Sequence, residues 1–229
     1  MMKRSPLLNI KSLKEQVYEY LREQMRRGEI LPGSVIDMEE TSRKLGVSKT
    51  PLRDALLQLE TEDFVSILPR RKVVVRDLNE EDIRCYYEII GALESMALLQ
   101  AAAKMGPDDI ERMQKLNDGM KKAIQAGNFD LYYARNLEFH NTYLNFSGNQ
   151  YLIKIVNNLK KRLYDFPRPK GFVKEWEESS VKEHQRVVDL LRENKGQAAA
   201  DFIRDVHWSF QVQERYIRRY YPQVRKSGD

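Results

Sequence analysis

The sequence predicts a mainly α-helical protein in two parts, an N-terminal winged helix-turn-helix domain and a C-terminal antiparallel helical bundle. Three observations carry this. Apolar residues recur at helical spacing through most of the 229 residues,. The main interruption is a pair of short β-prone runs either side of a basic corner near residue 70,. From residue 79 onward the helical stretches are joined by short connections, as an antiparallel bundle requires. The expected division is 1–78 (core about 10–77) and 79–229 (core about 79–222).

In the first part, Leu13, Val17, Tyr20, Leu21 and Met25 mark a helix. It opens on Ser12, with Glu15 three residues later as a capping box, and closes at Gly28,. Leu31-Pro32-Gly33-Ser34 reads as a turn, and Asp37 as the cap of a short second helix carrying Met38 and Leu45,. A Gly46-Val47 corner precedes a third helix that starts at Ser48 and aligns Leu52, Ala55, Leu56 and Leu59. Pro51 is tolerated because it falls in the first turn,. The runs 64–68 and 73–75, joined by Pro69-Arg70-Arg71-Lys72, predict a two-stranded hairpin. Six helices follow, at about 79–104, 107–126, 128–146, 150–166, 173–194 and 197–220.

Composition narrows the function. Lys and Arg number 39 against 34 Asp and Glu, a net charge of +5, and 32% of residues are charged. The mean hydropathy is −0.64. Every long apolar run is broken by charge before the roughly 18 residues a membrane span needs. A lone cysteine, Cys85, rules out an internal disulfide framework and a Cys-rich zinc finger,. The start of the chain lacks a secretory apolar core, so a cytoplasmic location is expected. Residues 1–78 hold 15 basic and 12 acidic side chains, against 24 and 22 in the longer remainder, so positive charge is denser in the first part. Cys85 is expected to be a buried, inert thiol on an amphipathic helix,. The pairs Tyr86-Tyr87 and Tyr132-Tyr133 are expected to turn alternate members to the core.

A helix pair joined by a Gly-containing turn can set the start of its second helix into a DNA major groove. Lys49, Thr50 and Arg53 stand at that start. An arginine there can grip guanine O6 and N7 with two hydrogen bonds, and the helix N-terminus favours phosphate. Arg70, Arg71 and Lys72 would flank the groove as a wing. The run Ser42-Arg43-Lys44-Leu45-Gly46-Val47-Ser48-Lys49-Thr50-Pro51-Leu52-Arg53-Asp54-Ala55-Leu56-Leu57-Gln58-Leu59-Glu60 resembles the winged helix-turn-helix of the GntR family of bacterial transcription regulators. The upstream Gly28 to Gly33 and the downstream Pro69 to Val75 resemble that family's turn and wing. The resemblance implies DNA contacts from Arg43, Lys44, Lys49, Thr50, Arg53 and, on the wing, Arg71. Lys49 stands where the family usually has Arg, and Lys72 where the wing usually has Gly.

The only three histidines, His140, His184 and His207, fall in three separate predicted helices of the second part. Asn136 lies one turn before His140 on the same face,. Three bundle helices can converge their imidazoles on one point, and imidazole is a common ligand of zinc, nickel and other transition metals. Packed or surface histidines would share the same spacing. Asn136 to His140, Ser147-Gly148-Asn149, Glu183-His184-Gln185-Arg186 and His207 together resemble the FCD effector domain of the FadR-like branch of the GntR family. That resemblance implies a divalent transition metal, zinc or nickel, held by Asn136, His140, His184 and His207, with a small carboxylate effector beside it. Asn136 replaces the Asp more usual there, so an all-neutral ligand set would leave the cation's charge for an effector anion to balance. Ile90 and Gly91 occupy a region where the group often has an arginine lining the pocket.

The combined expectation is a DNA-binding transcription regulator and not an enzyme. It would be a repressor that binds a palindromic double-stranded operator as a homodimer, with a small organic acid controlling its affinity and no role at a membrane. The alternative is a metal-dependent hydrolase fused to a nucleic-acid-binding head, since a three-histidine metal site can activate water. No HExxH run or other recognisable catalytic motif supplies its base.

Overall fold

The computed structural model describes residues 11–69, 72–165 and 173–221. The chain divides into two compact units, with boundaries between Asp77 and Leu78 and, inside one helix, between Lys160 and Lys161.

The first unit contains α1 (Leu13–Arg26), β1 (Val35–Ile36), α2 (Met38–Leu45), α3 (Lys49–Thr61), β2 (Val65–Leu68) and β3 (Lys72–Val75). The α1 capping box forms as its sequence predicts: the Glu15 amide donates to Ser12 Oγ at 3.2 Å and the Ser12 amide to Glu15 Oε2 at 2.8 Å. Asp37 caps α2 by accepting from the Glu40 amide at 2.8 Å. Gly46 ends α2 at φ +65°, a left-handed conformation that costs a side-chain-bearing residue energy, and so sets the corner into α3,. The hairpin is part of a three-stranded antiparallel sheet in the order β1-β3-β2, with Val35 opposite Val74 and Ser66 opposite Val74. Strand β1 is only two residues long, too short to show a period-2 pattern in the sequence,. Leu21, Met25, Leu52, Leu56, Leu59, Phe64 and Val73 form the core, each at most 1% exposed. Each of these leucines adds about 1.5–3 kcal/mol by leaving water.

The last turn of α7 (Gln150–Tyr164) belongs to this unit. Arg162 is buried there. Its guanidinium donates to the carbonyls of Arg76 and Asp77 at 3.2 and 2.8 Å, and lies 5.3 Å from the Phe64 ring centroid. Arg22 pairs with Asp165. No periodicity argument places a turn of a bundle helix against Phe64.

The second unit is helical: α4 (Glu80–Ala102), α5 (Pro107–Gln125), α6 (Phe129–Phe146), α7 up to Lys160, α8 (Lys174–Arg192), α9 (Gly196–Phe202) and α10 (Phe210–Tyr220). Helix α5 packs on α6 and α8, and α4 on α6, α9 and α10. Asn79 and Asp82 form a capping box on α4, and Pro107 opens α5 where its missing N–H costs nothing,. One expected element is corrected. The helix read over 197–220 is broken: a π-helical turn, Ile203–His207, follows α9, and Ser209 caps a new helix. A π-helical turn closes on i→i+5 bonds, so the side chains after it point in other directions than an unbroken α-helix would give, and a 3.6-residue pattern read through it does not reveal the break. Cys85 is also corrected: it is exposed. Tyr87 and Tyr132 are buried while Tyr86 and Tyr133 are partly exposed, the alternation expected of those pairs.

Candidate functional site

In the first unit, Arg43 and Lys44 at the end of α2 and Lys49, Thr50 and Arg53 in the first turns of α3 are all exposed. Leu52, Leu56 and Leu59 hold the opposite face of α3 in the core, and that burial is what presents the polar face,. The Ser48 side chain makes no capping hydrogen bond to α3, so the first-turn amides keep their donors for an outside acceptor,. Lys49 pairs with Glu39, an exposed contact that a phosphate can replace at little cost,. Arg71, expected at the wing tip, lies outside the described residues, while Lys72 beside it is exposed.

In the second unit, His140 on α6, His184 on α8 and His207 at the end of the π-helical turn meet, and their ligating nitrogens all fall within 4.8 Å of one another. His140 and His184 are fully buried, and the His207 side chain is 9% exposed. Asn136, one turn before His140, is buried as well.

The imidazoles are oriented from behind. His140 Nδ1 donates to Glu94 Oε2 at 2.8 Å, and His207 Nδ1 donates to Glu183 Oε2 at 2.8 Å. In both rings the proton is thereby assigned to Nδ1, leaving the Nε2 lone pair to face the cluster. A carboxylate behind a ligating histidine is the usual support of a metal-binding imidazole. Glu183 is itself held by Gln213 Nε2 at 3.1 Å and Ser179 Oγ at 3.3 Å. Glu94 Oε2 also accepts from Trp208 Nε1 at 2.8 Å and from the Tyr143 hydroxyl, while Oε1 faces Lys160 in a buried ion pair.

Burial drives the His140 pKa down to about 3, against the pull of the Glu94 carboxylate. Burial likewise pushes His184 well below the usual imidazole range, with its neighbours His207 and His140 adding to the effect. Burial alone would raise Glu94, but His140 and Lys160 outweigh it and hold the carboxyl well below the usual range. With His140 neutral, Lys160 is the partner that keeps Glu94 ionised. Lys160 is lowered by burial while Glu94 opposes the shift.

These donors fit a divalent transition metal. His140 Nε2 and His184 Nε2 lie 3.3 Å apart, and two nitrogens about 2.0–2.1 Å from a tetrahedral ion are separated by about 3.3–3.4 Å. Neutral lone pairs aimed at one point in a buried setting are what such an ion needs. The all-neutral ligand set would not leave a bound cation wholly uncompensated. Glu183, behind His207, supplies part of the balancing charge, whereas the charge of Glu94, behind His140, is matched by Lys160.

Periodicity could have flagged Glu94. It falls among Ile83, Tyr87, Ile90, Ala97 and Leu98 on the buried stripe of α4, and a carboxylate on such a stripe needs a partner,. Glu183 was visible only as the neighbour of His184. Lys160 carried no signal among the other basic residues of α7. At the position compared with a pocket arginine, Ile90 is buried and Gly91 packs on Trp208.

A winged helix-turn-helix with a basic helix start, followed by a helical unit with a buried histidine cluster, is the architecture of a bacterial DNA-binding regulator with an effector domain. The comparisons agree. Residues 13–75 match the model for bacterial regulatory proteins of the gntR family, and residues 85–207 match the FCD domain. The chain belongs to the GntR family, in the group that carries an FCD domain. It is 24% identical over 190 residues to the HTH-type transcriptional regulator YdhC of Bacillus subtilis, covering 82% of this chain and 84% of that one. It is 25% identical over 146 residues to the gluconate operon transcriptional repressor of Bacillus licheniformis, covering 64% of this chain and 60% of that one. The solved structure of E. coli McbR/YncC shares the fold, with a TM-score of 0.69 at 21% identity, covering 94% of this chain and all of that one. The family is one of regulators, so the hydrolase alternative is set aside. Among the described residues no helix is long and apolar enough to cross a membrane.

Proposed function

We propose that this DNA-binding regulator is a repressor acting as a homodimer on a palindromic operator, and that a small organic acid at a metal site in the FCD domain controls its affinity. The observation that carries the reading is the convergence of His140, His184 and His207, two of them backed by carboxylates. Zinc or nickel suits the nitrogen-rich donors, with Asn136 as a fourth, neutral ligand through its amide oxygen. The cluster is buried and its ligands are neutral, so an anionic group completing the shell lowers the energy of the bound ion. A small carboxylate is the simplest such group.

On the DNA side, Arg53 and Lys49 read base edges while Arg43, Lys44, Thr50 and the wing residue Arg71 hold phosphates. Repression is favoured by the likeness to the gluconate operon repressor. Support for a homodimer comes from α4, where Cys85, Ile89, Ala92, Met96 and Leu99 are exposed at spacings of four and three, with Ile89 and Met96 each 44% and Leu99 41% exposed. That is the spacing of a seam between paired helices. Two copies so joined carry two heads to two half-sites about one helical turn apart. Effector binding alters operator affinity to the extent that it prefers one arrangement of the dimer.

The test is elemental analysis of untagged protein purified without chelator, alongside a His140→Ala, His184→Ala double variant. About one transition metal per chain in the wild type and little in the variant is expected. Equal metal in both overturns the site.

A further inference from the structure

Behind His140 stands Glu94, and behind Glu94 stands Lys160. The second support is built differently: Glu183, behind His207, has neutral partners in Gln213 and Ser179. Of the two carboxylates, Glu94 is the one shared between an imidazole and a buried cation. We propose that Lys160 is a tuning residue of the metal site: by neutralising Glu94 it withholds that carboxylate's charge from His140 and the bound cation, so that metal is held loosely until an external anion completes the site. The inference rests on the reading that the histidine cluster binds a metal.

Three features argue for it. The Lys160 side chain is 2% exposed and that of Glu94 fully buried, so solvent screens neither charge,. Glu94 Oε2 already takes donors from His140, Tyr143 and Trp208, so the position and orientation of the carboxylate do not depend on the lysine. A buried ion pair contributes little stability relative to an apolar pair of the same volume, so stability alone gives no reason for a lysine in this interior. Its electrostatic effect is specific. A carboxylate behind a ligating imidazole raises the basicity of that ligand, and a cation paired to the carboxylate removes the gain. With a neutral residue at Asn136, the same device leaves the site deficient in negative charge, which a bound carboxylate ligand corrects.

The experiment uses the full chain, stripped with chelator and titrated calorimetrically with zinc(II) and nickel(II) in a buffer free of organic acids. Folding is checked by far-ultraviolet circular dichroism, and tryptophan emission is followed in a Trp176→Phe background so that Trp208 alone reports. Lys160→Met is expected to tighten metal binding by at least about tenfold. Glu94→Gln is expected to weaken it by about 10–100-fold. Lys160→Met leaves Glu94 without its counter-ion, so the Glu94→Gln, Lys160→Met double variant, a neutral pair of similar volume, provides an independent test of the same coupling. It is expected to recover metal affinity to within about threefold of the wild type, with metal again changing Trp208 emission. A Lys160→Met protein that folds but binds metal no more tightly than wild type overturns the proposal, as does a double variant no better than Glu94→Gln. If wild type binds no metal, or binds it as well without His140 and His184, the metal reading itself fails. Wild-type binding abolished by those two changes but insensitive to Lys160 sinks the tuning role alone.

Discussion

The Nε2 atoms of His140 and His184 lie 3.3 Å apart although the residues are 44 positions apart in sequence and belong to α6 and α8. Two neutral imidazoles so placed either share one proton or face one cation. His140 already gives its Nδ1 proton to Glu94, so only His184 can bring a proton to the contact. Its Nδ1 is buried and makes no hydrogen bond among the described residues. A metal held by both Nε2 atoms would give each lone pair a partner, and His184 would then carry its proton on Nδ1.

Glu183→Gln tests the support of the third imidazole. Glu183 accepts from His207 Nδ1 and is positioned by Gln213 and Ser179. The amide keeps the shape but removes the charge that makes His207 a better donor. Zinc affinity by calorimetry is expected to fall about 10–100-fold, with little change in the unfolding midpoint of the metal-free protein. Unchanged zinc affinity would mean that Glu183 only shapes the helix packing.

Gly91→Ala tests the packing that holds Glu94. A Cβ built on Gly91 meets the Trp208 Cβ at 3.0 Å, and backbone oxygens of Arg204 and Trp208 at 3.6 Å. Trp208 must therefore shift, and its indole is one of the donors on Glu94. Overpacking of this kind costs about 1–3 kcal/mol, against about 0.5–1 kcal/mol gained by replacing Gly with Ala inside a helix, so a net loss is expected. Urea unfolding of the metal-free protein should show that loss, and a variant as stable as wild type would remove Gly91 from the support of the site.

These contacts show what the sequence could and could not announce. The caps at Ser12 and Asp37 and the apolar faces of α1 and α3 are local, and local chemistry decided them. The three histidines were conspicuous because there are so few. Glu94, Lys160 and Trp208 acquire meaning only when α4, α7 and the π-helical turn are brought together, and no spacing within one segment encodes that. The π-helical turn was hidden for a related reason: Ile203 remains apolar and buried in either helix type, so hydrophobic pattern does not distinguish them.

The metal-free protein should lose stability in mild acid. His140 titrates at about 3, and His184 well below its usual value, in the folded state. In the unfolded chain both return to about 6.5. Below 6.5 the unfolded state therefore binds more protons than the folded one, so stability is full above that pH and falls as pH drops. Both groups therefore act in the same direction, and the unfolding free energy is expected to fall as the pH drops from about 6.5 toward 5,. Glu94, also depressed, adds to the loss only below its ordinary value of 4.5. Urea titrations of chelator-treated protein at several pH values measure this. His184→Gln should lessen the slope, and a flat profile would show that these imidazoles are not buried as neutral groups.

Arg53→Ala bears on the DNA contacts. Arg53 is exposed on the first turns of α3, while Leu52, Ala55 and Leu56 beside it are buried, so the change should leave the fold intact. If its guanidinium grips a guanine, operator binding weakens by about 1–3 kcal/mol and discrimination at one base pair in each half-site relaxes. Lys44→Ala, removing a phosphate contact, should instead weaken binding to all sequences alike and reduce the salt slope by about one per site. Wild-type affinity should itself fall by about 10³–10⁵ between 50 and 200 mM salt if the dimer neutralises 6–10 phosphates. Fluorescence anisotropy on the operator and on scrambled DNA over that salt range separates these effects. If Arg53→Ala lowers both affinities equally, the residue holds backbone and the reading of bases must lie elsewhere on α3.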